Sequence, residues 1–91
     1  MDEKATLTEA IAQYGEHLQL VVAMEEMAEL TKALSKHIRG ADNRKDVAEE
    51  IADVEIMLAQ IKMMLDIGPD VRIFRMAKIQ RLQKRLEASR E

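Results

Sequence analysis

Two long apolar stripes, one on either side of Gly40-Ala41-Asp42-Asn43, constrain this chain more than any other feature. Before the turn, Leu20, Ala23, Met27, Leu30, Leu34 and Ile38 recur at helical spacing. After it, Val47, Ile51, Val54, Leu58, Ile61 and Leu65 do the same. Gly40 is placed as a helix stop and Asn43 as an N-cap. The pattern predicts a helical hairpin, one arm over about Glu16 to Arg39 and the other ending near Asp66. A second strip, Ala52, Ile56, Ala59 and Met63, lies on the far side of the later arm. A helix apolar on two sides is buried on two sides. One side takes the hairpin partner; the other needs a fourth helix or another subunit.

Each arm carries an acidic pair flanking its stripe, Glu26-x-x-Glu29 and Glu50-x-x-Asp53. The i,i+3 spacing puts both carboxylates of a pair on one helix face. Folding the hairpin at the turn brings the pairs level within about one helical turn, given about 1.5 Å rise per residue. Four carboxylates then converge, and like charges at close range cost stability unless a cation sits among them. The donors are all hard oxygens, which suits Mg²⁺, Mn²⁺ or Ca²⁺ rather than zinc or copper. The Glu-x-x-His pairs of a di-iron bundle are missing. The plain alternative is a set of solvated surface acids.

The flanking regions complete an all-α reading. Residues 1–7 are polar and predicted to fray, with Thr8 capping a short helix through Tyr14 and Gly15 kinking or breaking it. Gly68-Pro69 ends the third helix and opens a fourth over about Asp70 to Ala88, with an apolar seam of Val71, Phe74, Ile79, Leu82 and Leu86. Residues 88–91 are again expected to fray. The whole of 1–91 reads as one domain, small enough that oligomerisation often supplements its core. A composition 47% apolar and 34% charged with few Gly and Pro makes disorder a poor fit. No apolar run is long enough to span a membrane, Asp2 and Glu3 stand where a signal peptide would be basic, and cysteine is absent, which predicts a cytoplasmic protein.

Charge is segregated. Residues 1–70 hold seven Lys/Arg against fifteen Asp/Glu, a net −8, whereas residues 71–90 hold seven Lys/Arg against Glu87, a net +6. An acidic centre with a basic C-terminal helix can grip a metal–polyphosphate complex from both sides. So acidic a chain is a poor candidate for binding nucleic acid. Covalent catalysis has little to work with, since cysteine is absent and His17 and His37 lack an evident nucleophile partner.

The spaced acids, together with Gly15-x-x-x-Gln19, Glu25-Glu26-Met27-Ala28-Glu29-Leu30, Lys36-x-x-Arg39-Gly40, Ala48-Glu49-Glu50-Ile51-Ala52-Asp53-Val54 and Lys78-x-x-Arg81-Leu82, resemble the short MazG-like all-α nucleoside triphosphate pyrophosphohydrolases. The resemblance covers roughly residues 13–86. It implies Mg²⁺-dependent cleavage of a nucleoside triphosphate between the α and β phosphates, giving monophosphate and pyrophosphate. It further implies a four-helix-bundle-like fold completed by dimer or tetramer formation. By that resemblance Glu26, Glu29, Glu50 and Asp53 bind Mg²⁺, with Mn²⁺ as a substitute. Glu25 or Glu29 orients the attacking water, and Gln19, Lys36, Lys78 and Arg81 meet the nucleotide. Two other readings compete: a helical interaction module whose acids are surface, and a family member that binds nucleotide without turnover. The preferred base is not legible.

Overall fold

A computed structural model describes residues 2–90; Met1 and Glu91, at the two ends expected to fray, lie outside the described residues. Four helices follow one another: α1 (Glu3–Tyr14), α2 (Glu16–Ile38), α3 (Arg44–Met64) and α4 (Gly68–Ser89). No strand occurs among the described residues, so the chain is all-α.

The N-terminal segment corrects the sequence reading. Residues 3–7 are helical, because Asp2 caps α1: its carboxylate accepts from the Ala5 N–H at 2.7 Å. Leu7, the apolar residue of that stretch, is buried and ties the new turn down. Thr8 is therefore inside the helix, its hydroxyl donating to the Lys4 carbonyl. The C-terminal end corrects it too, since α4 continues through Ser89. Gly15, at φ +88, breaks α1 from α2 as expected.

Both arms of the hairpin end in the same way. The Ala41 N–H reaches back to the Lys36 carbonyl and the Gly40 N–H to that of His37, closing α2 in a Schellman motif around Gly40 at φ +99. At the end of α3 the Ile67 N–H bonds the Lys62 carbonyl and the Asp66 N–H that of Met63. Here the left-handed position is held by Asp66, at φ +53. The stop thus lies two residues before the expected Gly68, and Gly68-Pro69 instead form the first turn of α4.

α2 and α3 share the most extensive contact; α1 packs on both, whereas α4 meets only α3. Small and polar residues make the hairpin seam: Gln19, Ala23 and Ala33 of α2, with Asn43, Met57 and Gln60 from the turn and α3, are the buried ones. The two long apolar stripes were expected to be the buried seam. Of their residues only Ala23 is fully buried, and the larger ones remain partly open, with Met27, Leu34, Ile51 and Leu58 between 38% and 44% exposed. Alanines at the crossing let the helices approach closely and leave the larger side chains outside the contact.

The chain is extended for its length. Its radius of gyration is 16.7 Å and its extents are 53 × 36 × 24 Å, against a radius of about 12 Å for a compact domain of this size. α4 accounts for the excess: it has no buried residue, and Phe74 is 65% exposed.

Candidate metal and phosphate site

Acids from both arms meet across the hairpin. Oxygens of Glu26 from α2 and of Glu50 and Asp53 from α3 all lie within 4.8 Å of one another. Glu26 and Glu50 are half-buried and Asp53 is exposed. Three of the four carboxylates expected to bind metal are thus brought together.

The fourth, Glu29, falls outside this trio. It lines an adjoining recess of about 130 Å³ with Lys32, Ala33, Lys36, Asn43, Asp46 and Glu50. Glu50 belongs to both, so the recess continues the trio towards the turn.

The electrostatics follow from this crowding. Loss of solvation raises the Glu26 carboxyl above its ordinary range, and the charge of Asp53, a hydrogen bond with Asp53 and the charges of Glu50 and Glu29 add to it. Glu50 is raised for the same first reason, then by Asp53, Glu29, Glu49 and Asp46. Each charged neighbour that perturbs these two is another acid. A carboxylate beside carboxylates holds its proton more tightly until a cation offsets the repulsion.

The other expected site residues are distributed unevenly. Lys36 lines the recess facing Glu29 and Glu50, as its spacing implied. Glu25 is exposed and lines neither the recess nor the trio. Gln19 is 6% exposed and buried in the seam, which withdraws it from the surface a nucleotide would meet. Lys78 and Arg81 are exposed on α4 and line neither the trio nor the recess.

Several residues of the site were not picked out from the sequence. Asn43 was read as a cap, yet its side chain makes no cap hydrogen bond; its Nδ2 donates to the Ala33 carbonyl at 3.0 Å and its buried Oδ1 has no partner. The side chain spans the hairpin rather than the helix end, a role that depends on how close the arms come. Gln60 is buried with an unpartnered Oε1. It sits seven residues after Asp53, as Gln19 sits seven before Glu26. That heptad spacing extending both acidic positions was the signal for a polar seam. Lys32 and Asp46 carry no comparable signal.

No family model matches the chain, and neither a curated protein nor a solved structure does. The case for what the site does therefore rests on its residues. Among the described residues, no helix is long and apolar enough to cross a membrane.

Proposed function

We propose that this chain is a divalent-metal-dependent nucleotide pyrophosphohydrolase, hydrolysing a nucleoside triphosphate between the α and β phosphates to monophosphate and pyrophosphate. The observation that carries the reading is the convergence of Glu26, Glu50 and Asp53 from two helices onto one small volume. The donor set fits Mg²⁺, with Mn²⁺ as an alternative. Glu26, Glu50 and Asp53 would hold the ion through one oxygen each, leaving its remaining positions to water and substrate phosphates. Bound there, the ion supplies charge neutralisation on the phosphate oxygens.

The chain's own residues do the rest. Lys36, with Lys32 beside it, offers an ammonium group to a phosphate lying along the recess. Glu29 lines that recess next to Glu50 and is better placed than Glu25 to hold the attacking water and accept its proton. Gln19 is left out of the substrate contacts, being buried. The chain acts as a homo-oligomer, a dimer or tetramer, since its apolar stripes are partly open and α4 has no buried residue. Nucleic acid is not a partner for so acidic a face, and a cysteine-free chain suits the cytoplasm.

One observation favours a second reading, a helical assembly module: more large apolar side chains are exposed than buried, which serves association whether or not the acids hold metal. Product analysis with α-phosphate-labelled triphosphate separates the two. The expected outcome is labelled monophosphate and unlabelled pyrophosphate, reduced at least about a hundredfold in Glu50→Gln. Release of inorganic phosphate would reject the bond assignment, and no metal-dependent turnover of any nucleotide would leave the assembly reading.

A further inference from the structure

α4 and a cleft between α1 and α3 are complementary in polarity and charge, yet the chain does not bring them together. The cleft holds about 450 Å³ and is floored by Leu7, Ala52, Ile56 and Ala59. Its charged lining is Glu3, Glu55 and, as the one cation, Lys62. Glu49 precedes Ala52 by three residues and so borders the same face of α3. Ile56 is 47% exposed, so the floor is only partly covered by α1. Two alanines in the floor permit the 8–10 Å approach of another helix axis.

α4 has the opposite character. Ile79, Leu82 and Leu86 form a seam, each between 45% and 50% exposed. Arg75, Lys78 and Arg85 stand three or four residues from Ile79 or Leu82, beside the seam. A helix draws most of its stability from packing an apolar face, and this one packs almost none of its own.

The helix starts at the end of the surface it would fit. Gly68, Pro69 and Arg72 line a second cleft that shares Glu3, Leu7, Ala59 and Lys62 with the first. From there α4 runs outward and touches only α3. A face that both gives a helix and can receive one meets the requirement of a two-fold interface, in which the same patch serves on both subunits.

We propose that α4 is exchanged between two copies, the α4 of each lying in the α1–α3 cleft of the other. The apolar seam covers Ala52, Ile56 and Ala59, and the basic flanks face Glu49 and Glu55. The exchange rests on the oligomeric part of the functional reading and is independent of the metal. It also gives the acidic face of each copy the counter-charge that its own chain holds at a distance.

The test is the mass in solution by light scattering, without nucleotide or metal, with circular dichroism confirming that the hairpin helices persist. Leu82→Asp is expected to bring the mass to about half that of the parent protein. Two charge variants extend the test: Lys78→Glu with Arg85→Glu in one chain, and Glu49→Lys with Glu55→Lys in another. Each alone is expected to fall to about half the parent mass. Mixed one to one, they restore it, because acidic α4 then meets a basic cleft and basic α4 an acidic one. A single-chain mass for the parent protein, or a parent-like mass in Leu82→Asp, overturns the exchange, as does a mixture that stays light. Failure of nucleotide hydrolysis would not alter these masses, and an oligomer that survives Leu82→Asp would leave the oligomeric reading standing.

Discussion

The hairpin and α4 are helices of nearly equal length put to opposite uses. α2 and α3 close on each other through alanines and short polar side chains, and the acids sit where the two arms meet. α4, 22 residues long, buries nothing. A stripe of large apolar residues therefore does not identify a helix's buried face in a chain this small. In the hairpin the tight contact is made by Ala23, Ala33 and one large side chain, Met57, while Met27, Leu34, Ile51 and Leu58 stay partly exposed. In α4 a seam of similar quality has no partner within the chain. The difference separates what holds one copy together from what it offers to others.

Truncating the same residue type in both regions sharpens that contrast. Met57 is 6% exposed in the seam and Met76 is 65% exposed on α4. Met57→Ala is expected to cost about 2–5 kcal/mol of stability in chemical denaturation. Met76→Ala is expected to stay within about 0.5 kcal/mol of the parent. Equal costs at the two positions would dissolve the distinction.

A smaller effect is expected at Asn43, whose Nδ2–Ala33 bond ties the turn to α2. Asn43→Ala removes that bond while the Ala33 carbonyl keeps its place in the α2 ladder, at about 0.5–1.5 kcal/mol. Because the unpartnered Oδ1 goes too, the loss should lie towards the low end. A loss as large as that of Met57→Ala would make the turn, rather than the seam, the hairpin's main fastening.

The gentlest probe is pH. Glu26 and Glu50 bind their protons more tightly in the fold than in the unfolded chain. The folded state then holds more protons, so stability falls as pH rises. The penalty is absent below the ordinary glutamate value of about 4.3 and grows as pH climbs through the raised values. Metal-free protein should thus melt at a higher temperature at pH 5 than at pH 7, and Asp53→Asn should flatten the slope. A slope of the opposite sign would mean that cations, not acids, dominate around the two carboxyls.

Much of this was legible in the sequence, for identifiable reasons. The turn at Gly40 and the break at Gly15 were readable because a left-handed backbone favours glycine. The level of the acidic pairs followed from hairpin geometry alone, and three of the four acids do converge. Other features depend on distances that spacing does not encode. Asn43 bonds across the arms, Gln19 and Gln60 are buried where the helices come close, and Asp66 takes a position that glycine usually fills. The Asp2 cap was readable in principle, but with Leu7 the one large apolar residue of the first turns it drew no attention.

The central claim is that Glu26, Glu50 and Asp53 hold one divalent ion, and thermal melting against Mg²⁺ tests it most directly. At fixed protein concentration, Mg²⁺ at ten times its Kd should add about 1.4 kcal/mol, roughly 5–10 °C in a domain of this size. Asp53→Asn should melt no lower than the parent without metal, since one repelling charge is gone, and should gain little when Mg²⁺ is added. Equal stabilisation of the two proteins, or none of the parent at tens of millimolar Mg²⁺, would contradict the claim.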